Sequence, residues 1–283
     1  AVYLELGRVY GKMGKEDEEL YAFRKYVESD PQNIEANKHI GIILTRKGQV
    51  NEGIVHLEMA NALKPNDVET MENLGLGYIK TGRNEEAIEL FAKAKALDKE
   101  NVNIRYQLFE LFRKSNQNDK ALKEMKELLE LSRETRYQMI YAEALLSSGK
   151  ARDAEEVVED ILATEGENID AFLLKAKILR SRKKYDDAIE VYKEIMLIVP
   201  EHAQTLFERA ETHLQQSKLP WAETFYSRAL RADPKMALAQ LGLAKVAKMR
   251  KNMTEYKKYL ELARQMEPQN PLILQELKDS GAK

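Results

Sequence analysis

Five of the seven prolines in this chain recur at one spacing. The gaps between Pro31, Pro65, Pro200, Pro234 and Pro268 are 34, 135, 34 and 34 residues, and 135 is one residue short of four times 34. A fixed period of this length is typical of proteins that stack one short unit many times. The spacing therefore predicts a chain of repeated units, each of which contacts mainly its neighbours.

Small residues repeat with the same period. One register carries glycine or alanine at Gly41, Gly75, Ala142, Ala176, Ala210 and Ala244, and a second reads Ala87, Ala121, Ala154, Ala188 and Ala222. Together with the prolines, these registers place a single missing residue near 131–135. The repeats are accordingly predicted at 1–33, 34–67, 68–101, 102–134, 135–168, 169–202, 203–236 and 237–270, with a cap at 271–283.

Within a repeat, the apolar residues follow the period of a helix. In 68–101, Leu74 and Tyr78 mark one helix, Ala87 and Phe91 mark a second, and the turn signal Thr-Gly-Arg-Asn lies between them. Each repeat is therefore predicted to be a helical hairpin. The proline at its end stops the second helix because proline has no N–H to donate.

These patterns resemble the tetratricopeptide repeat. The loose signature of that family is, in order, a large apolar residue, Leu-Gly, Tyr, Ala, Phe or Tyr, Ala and Pro. The third repeat matches it at Met71, Leu74-Gly75, Tyr78, Ala87, Phe91 and Ala94. Lys99 stands in place of the proline. The resemblance implies an all-α fold, a right-handed superhelix (α-solenoid) of about eight helix-turn-helix repeats plus a C-terminal capping helix. It implies a single solenoid over 1–283 that binds proteins and is not an enzyme.

Composition narrows the classes of partner. The net charge is −2 although 33% of residues are charged, and bulk binding of nucleic acid favours a dominant basic face. There is no cysteine, the four histidines do not stand at metal-ligand spacing, and no run of about 18 apolar residues could cross a membrane. We therefore expect no metal, cofactor, nucleic acid or direct membrane insertion.

The chain begins at Ala1, inside a predicted helix and without a methionine, so we expect it to be a fragment of a longer protein. A missing signal peptide then carries no information about the compartment. The cytoplasm is favoured, and the periplasm or another compartment stays open.

The resemblance also predicts where a partner binds. In this family the first helices of the hairpins line a concave groove, and the exposed groove positions here hold twelve bases and seven acids. This excess of five bases predicts a protein or peptide partner with acidic residues or a C-terminal carboxylate. The predicted partner-binding residues are Lys38, Ile42, Arg46, Asn73, Leu76, Lys80, Tyr106, Arg113, Arg136, Lys177, Arg180 and Phe207.

The fourth repeat is irregular, because Phe109 stands where the other repeats carry glycine or alanine. We expect it to be exposed with Tyr106 and Phe112 as a ledge for a partner. Three functions remain open: a scaffold or adaptor with a partner segment in its groove, a substrate- or partner-recruiting arm of a larger enzyme complex, and a homo-oligomer.

Overall fold

The computed structural model describes residues 2–280, and over that range the chain is all-α. The described residues form seventeen helices and no strand: α1 Val2–Lys12, α2 Glu16–Val27, α3 Ile34–Arg46, α4 Val50–Leu63, α5 Val68–Lys80, α6 Asn84–Leu97, α7 Val102–Lys114, α8 Asn118–Leu131, α9 Thr135–Ser147, α10 Ala151–Thr164, α11 Ile169–Ser181, α12 Tyr185–Ile198, α13 Ala203–Gln215, α14 Leu219–Ala232, α15 Ala237–Met249, α16 Met253–Met266 and α17 Pro271–Asp279. Eight consecutive pairs of helices followed by one last helix confirm the predicted all-α fold of helical hairpins and a capping helix.

A left-handed residue makes every turn inside a hairpin. The backbone has positive φ at Gly14, Gly48, Gly82, Asn116, Gly149, Lys183, Ser217 and Lys251, which lie 34 residues apart except for one gap of 33. In the third hairpin this residue follows α5 and lets the N–H of Arg83 donate to the Tyr78 carbonyl. Glycine adopts this conformation without strain, and four hairpins carry a bulkier residue there.

The linkers between hairpins end on helix-capping residues. Asn33, Asp67, Asn101 and Asn168 each accept a hydrogen bond from the backbone N–H three residues later, which satisfies one of the free donors at a helix start. The linker between α8 and α9, residues 132–134, has three residues where the linkers before α5, α7 and α11 have four. The missing residue of the sequence period therefore lies in this linker.

The small-residue registers bring paired helices together. In the second hairpin Gly41 on α3 faces Gly53 on α4, and a Cβ on Gly41 would lie 2.8 Å from the Gly53 carbonyl oxygen. Phe109 occupies the same register in α7, but it is fully buried, so its predicted exposure was wrong. Its ring lies 6.1 Å from Tyr106, whose side chain and that of Phe112 are half-buried. Removal of this large apolar side chain from water favours the buried position over an exposed one.

Two compact units divide the described chain. Unit 1 ends at Tyr137 and unit 2 begins at Gln138, so the boundary falls inside α9. Phe91 is buried in the core of unit 1, and Tyr192 and Tyr226 are buried in the core of unit 2, as the repeat signature predicts. Whether the whole chain acts as a single solenoid stays a prediction.

The last helix closes unit 2. Ile273 of α17 is fully buried against Tyr256 and Leu260 of α16, while Leu272 on its other side is exposed. Asn270 caps this helix, and Pro271 occupies its first turn, where a missing N–H costs nothing.

Candidate partner-binding site

Lys38, the first predicted groove residue, ties two hairpins of unit 1 together. Its Nζ lies 2.6 Å from a carboxylate oxygen of Glu69 and 3.6 Å from Asp67. Burial opposes the charge on the Asp67 carboxylate, but hydrogen bonds from Thr70 and Lys64 and the charge of Lys38 outweigh it and hold the pKa of Asp67 well below its usual range. The side chain of Lys38 is therefore occupied in fixing the start of α5.

The next predicted residues of unit 1 are also held by neighbours. Lys80 donates from Nζ to the Thr45 carbonyl at 3.0 Å, and Arg46 forms an ion pair with Glu16. Asn73 donates to the carbonyl oxygen of Glu69 in its own helix. These contacts lie within or between neighbouring hairpins, so they stabilise the fold of unit 1.

The predicted apolar positions differ in how far they reach the surface. Ile42 is half-buried against the core of unit 1, and Leu76 is 37% exposed. Tyr106 is half-buried, with its ring 5.9 Å from that of Tyr137. Leu76 is the most exposed of these three apolar side chains.

Arg113 and Arg136 complete the predicted set in unit 1. Arg113 pairs with Glu110 of the same helix at 2.9 Å, and Arg136 pairs with Glu134 at 2.7 Å and lies over the Tyr137 ring. Of the twelve bases in the sequence count, seven contact a carboxylate: Arg8, Lys38, Arg46, Arg113, Arg136, Arg180 and Lys248. The count therefore overstates the positive charge that these positions offer to a partner.

Unit 2 holds a basic groove between α11 and α13. The groove has a volume of about 460 Å³ and is lined by Lys177, Arg180, Ser181, Lys183, Tyr185, Glu208 and Gln215. Three of these side chains are basic and one is acidic. The groove contains two of the predicted site residues, Lys177 and Arg180.

A buried polar network holds the side chain of Arg180 in this groove. Arg180 forms an ion pair with Glu208, and it interacts with the hydroxyl of the buried Tyr192. Burial would lower the pKa of Arg180, but Tyr192 and Glu208 raise it overall. Glu208 is thereby engaged inside the groove, and Lys177 and Lys183 make no ion pair with any residue in 2–280.

The third predicted residue of unit 2 lies elsewhere. Phe207 packs on the core of unit 2, with its ring 5.9 Å from the buried Tyr226, and it does not line the basic groove. Phe207 is half-buried and contributes mainly to the packing of α13 on α14.

Sequence reasoning missed the part of the groove outside the first helices. Lys183 lies in the turn after α11, Tyr185 begins α12, and Gln215 ends α13. The basic run Arg180-Ser181-Arg182-Lys183-Lys184 is the signal that could have indicated this turn.

The described residues contain neither a metal-type cluster nor a membrane-spanning helix. Within 2–280 no three histidine, aspartate or glutamate side chains are grouped as a metal site would require. No helix in that range is both long and apolar enough to cross a membrane.

Comparison with known proteins gives the same fold for the chain. Models of the tetratricopeptide repeat match residues 1–33, 78–144, 142–196 and 207–271. A search of curated proteins finds no significant match.

Solved structures of similar proteins show the same fold. A tetratricopeptide repeat protein from Parabacteroides merdae ATCC 43184 superposes with a TM-score of 0.64 and 18% identity, over 87% of this chain and 97% of that one. MamA gives a TM-score of 0.54 and 21% identity, over 59% of this chain and 91% of that one. A structure of Naa15/Naa10 bound to HypK-THB gives a TM-score of 0.58 and 16% identity, over 96% of this chain and 44% of that one. The chain thus belongs to the tetratricopeptide repeat family, whose members typically bind other proteins.

Proposed function

We propose that this chain is a non-enzymatic scaffold, in which the basic groove of unit 2 binds an acidic segment of a protein partner. The observation that carries the proposal is the charge of that groove, where Lys177, Arg180 and Lys183 stand against the single carboxylate of Glu208. Because Arg180 and Glu208 neutralise one another, Lys177 and Lys183 supply the charge available to a ligand.

The groove can recognise more than charge. Tyr185 and Gln215 add a hydroxyl and an amide group that can donate hydrogen bonds to carboxylates, whereas the Ser181 hydroxyl donates to the Ile178 carbonyl oxygen at 2.7 Å. Hydrogen bonds to an ionised group are stronger than neutral ones, and complementary charge speeds the encounter with the partner. An extended segment with several Asp or Glu residues fits this set of donors.

The test uses a defined peptide and charge-neutral variants. The probe is fluorescein-labelled Asp-Asp-Leu-Asp-Asp, with Asn-Asn-Leu-Asn-Asn as its uncharged counterpart, and binding is followed by fluorescence anisotropy at two salt concentrations. We expect Lys177→Gln with Lys183→Gln to weaken binding of the acidic peptide about tenfold, the effect of about 1.4 kcal/mol. Lys257→Gln, an exposed lysine on α16, is the matched control and leaves binding unchanged.

Two results would refute the acidic-segment proposal. One is equal affinity for the acidic and the uncharged peptide. The other is a double variant that binds the acidic peptide as tightly as the unmodified chain does. Loss of binding in the Lys257→Gln control to the same extent would show that total charge, and not the groove, determines affinity.

A recruiting arm of a larger enzyme complex is the second proposed function. The observation that favours it is the similarity of the fold, over 96% of this chain, to a structure of several proteins, Naa15/Naa10 bound to HypK-THB. In this role the same groove would hold the recruited protein. Co-purification of one enzyme subunit in fixed stoichiometry supports this role, and a chain that elutes alone or only with non-enzymatic proteins contradicts it.

A further inference from the structure

Trp221 breaks the repeat at an exposed position of unit 2. It is the only tryptophan of the chain, lies in the first turn of α14 and is 56% exposed. Its ring stacks on that of Phe225, with the ring centres 6.4 Å apart. The matching position is charged in all seven other hairpins, as Glu18, Glu52, Glu86, Lys120, Asp153, Asp187 and Glu255. A large apolar ring thus replaces a surface charge in this hairpin alone.

Met249 is a second exception of the same kind, in the next hairpin. It ends α15 and is 48% exposed, whereas the matching residues of the other hairpins are polar: Lys12, Arg46, Lys80, Lys114, Ser147, Ser181 and Gln215. Met253 begins α16 at the other end of the same turn and is 49% exposed. Two neighbouring hairpins therefore each expose an apolar side chain at a position that is polar in the rest.

An ion pair holds these side chains close together. Arg250, the residue after Met249, has a guanidinium nitrogen 2.6 Å from a carboxylate oxygen of Glu223, the second residue after Trp221. The turn of the last hairpin is therefore fixed against the start of α14. We call Trp221, Met249 and Met253 the apolar edge. Single exposed apolar residues are common on protein surfaces, but several together are typical of an interaction surface.

Two exposed lysines follow the apolar edge along the last hairpin. Lys251 lies in the turn before Met253, and Lys258 lies on the exposed side of α16. Neither lysine makes an ion pair with a residue in 2–280. Glu255, in the first turn of α16, offsets one of these two charges.

The last hairpin as a whole is basic. Residues 237–270 contain seven bases and three acids, in a chain whose net charge is −2. One of those acids, Glu261, lies 3.8 Å from the guanidinium of Arg264. An occupant of this surface should therefore combine negative charge with an apolar region.

We propose that the apolar edge, with Lys251 and Lys258, binds the surface of a lipid bilayer that contains anionic headgroups. Tryptophan is favoured at such a surface because its ring is apolar and its indole N–H is polar. Each basic side chain near an anionic surface strengthens binding roughly fivefold. The contact is made at the level of the headgroups and needs no helix that spans the membrane.

A bilayer fits this surface better than a peptide does. Trp221 and Met249 stand where the other hairpins carry charged or polar side chains, which could recognise a peptide through hydrogen bonds. What the two exceptions leave is apolar side chains beside positive charge, and a bilayer offers apolar chains behind negative headgroups.

Trp221 is also the reporter for the test, since the chain has no other tryptophan. Vesicles made of equal parts of phosphatidylcholine and phosphatidylserine are added to the full chain, and the tryptophan fluorescence is followed. We expect the emission to shift to the blue and to be quenched by lipids brominated in the acyl chain, because the indole leaves water. Vesicles of phosphatidylcholine alone should bind at least about tenfold more weakly, and added salt should weaken binding to the anionic vesicles.

Charge variants assign the binding to the two lysines. Lys251→Gln with Lys258→Gln should weaken binding to the anionic vesicles about tenfold. Lys93→Gln with Lys126→Gln, which replaces two exposed lysines of unit 1, gives the same net charge. This matched control should bind the vesicles as the unmodified chain does.

A methionine variant tests the apolar part of the surface. Met249→Ser introduces the residue that stands at the same position in two other hairpins, and it should weaken vesicle binding roughly fivefold. Met13→Ser is the matched control, because Met13 lies in the turn of the first hairpin and is 57% exposed. It should leave vesicle binding unchanged.

Three results overturn the proposal: no response of the Trp221 emission to anionic vesicles, equal binding to anionic and neutral vesicles, or a lysine or Met249 variant that binds as tightly as its control. Because Met249, Lys251 and Lys258 are exposed, their replacement leaves the fold intact, and the thermal midpoint of each variant checks this. The proposal is independent of the basic groove, which shares no lining residue with this surface.

Discussion

Replacing Gly41 or Gly53 with alanine tests the close contact between α3 and α4. A Cβ on Gly41 would lie 2.5 Å from Cγ of Leu57 and 2.8 Å from the Gly53 carbonyl oxygen, and a Cβ on Gly53 would lie 2.8 Å from the Gly41 carbonyl oxygen. Two of these three contacts are with backbone, which cannot turn aside as a flexible side chain can. The helices must therefore separate to admit either methyl group.

The expected cost follows from these distances. Carbon atoms pack favourably at roughly 3.5–4.0 Å, so relief requires a separation of about 0.5–1 Å, which forfeits a quarter to a half of the dispersion energy across the gap. Overpacking costs roughly 1–3 kcal/mol, and the backbone contacts at 2.8 Å place both variants in the upper part of that range, about 2–3 kcal/mol. Alanine in place of a helical glycine offsets about 1 kcal/mol of this cost. We expect each single variant to lose about 1–2 kcal/mol of stability in this hairpin.

The assay is amide hydrogen exchange in α3 and α4 of the full chain. Repeat proteins can open locally, so a local measurement reports this hairpin better than one midpoint for the whole chain does. One separation relieves both clashes, so the double variant should cost at least about 0.5 kcal/mol less than the sum of the single variants. Unchanged or increased protection in the single variants would refute the packing argument.

Gly166→Ala is the control for the glycine substitutions. Gly166 lies in a linker, and a Cβ there would meet only the Leu162 carbonyl oxygen, at 3.7 Å. Its replacement should therefore be neutral, or should stabilise by up to about 1 kcal/mol, because alanine reduces the freedom of the unfolded chain. A loss of protection equal to that of Gly41→Ala would show that glycine replacement destabilises for a reason other than the contact.

Four further predictions concern the turns and the shifted pKa values. Lys251→Gly should stabilise the last hairpin by about 1 kcal/mol in thermal denaturation, because Lys251 holds a φ of 61° that glycine adopts freely. Asp67→Asn should reduce the hydrogen-exchange protection of α5 at neutral pH. Because the pKa of Asp67 is lowered in the folded chain, its carboxylate stabilises the fold above about pH 4. The difference in protection between the variant and the unmodified chain should vanish as the pH falls through the folded-state pKa. Burial, with the charges of Arg209 and Lys218, lowers the pKa of His213 to about 4, so unit 2 should lose stability from about pH 6.5 down to 4, and His213→Leu should remove that slope from the pH profile of the melting point. Burial and the Glu58 carboxylate raise the pKa of Tyr78 to about 12, so its stabilising contribution should hold below about pH 10 and disappear as the pH rises through 12. Tyr78→Phe should remove one tyrosine from the late part of the ultraviolet titration, near pH 12.

Much of the fold could be predicted because the repeat is written in local signals. Prolines, small residues and helical spacing depend on the chain within one hairpin, so they are visible without tertiary structure. The turn residues Gly14, Gly48 and Gly82 belong to the same class. The same turn position holds Lys183 and Lys251, whose residue type does not indicate a left-handed backbone.

The binding surface could be predicted less well, because charge is settled by contacts between hairpins. A count along the first helices treats Lys38 and Lys177 alike, yet Glu69 neutralises the first, and no described carboxylate pairs with the second. Whether Phe109 lies inside or outside the core is a similar question. The bulk of phenylalanine in a small-residue register predicted exposure, but packing buries the side chain.

The sequence by itself determined the architecture: a 34-residue helical hairpin, repeated eight times and shortened once near 131–135. The reason is that each hairpin is specified by residues close together in the chain. Only the tertiary structure decided which side chains remain available to a partner. That choice depends on which acid lies opposite which base across a hairpin junction, as Lys38 with Glu69 and Arg180 with Glu208 show.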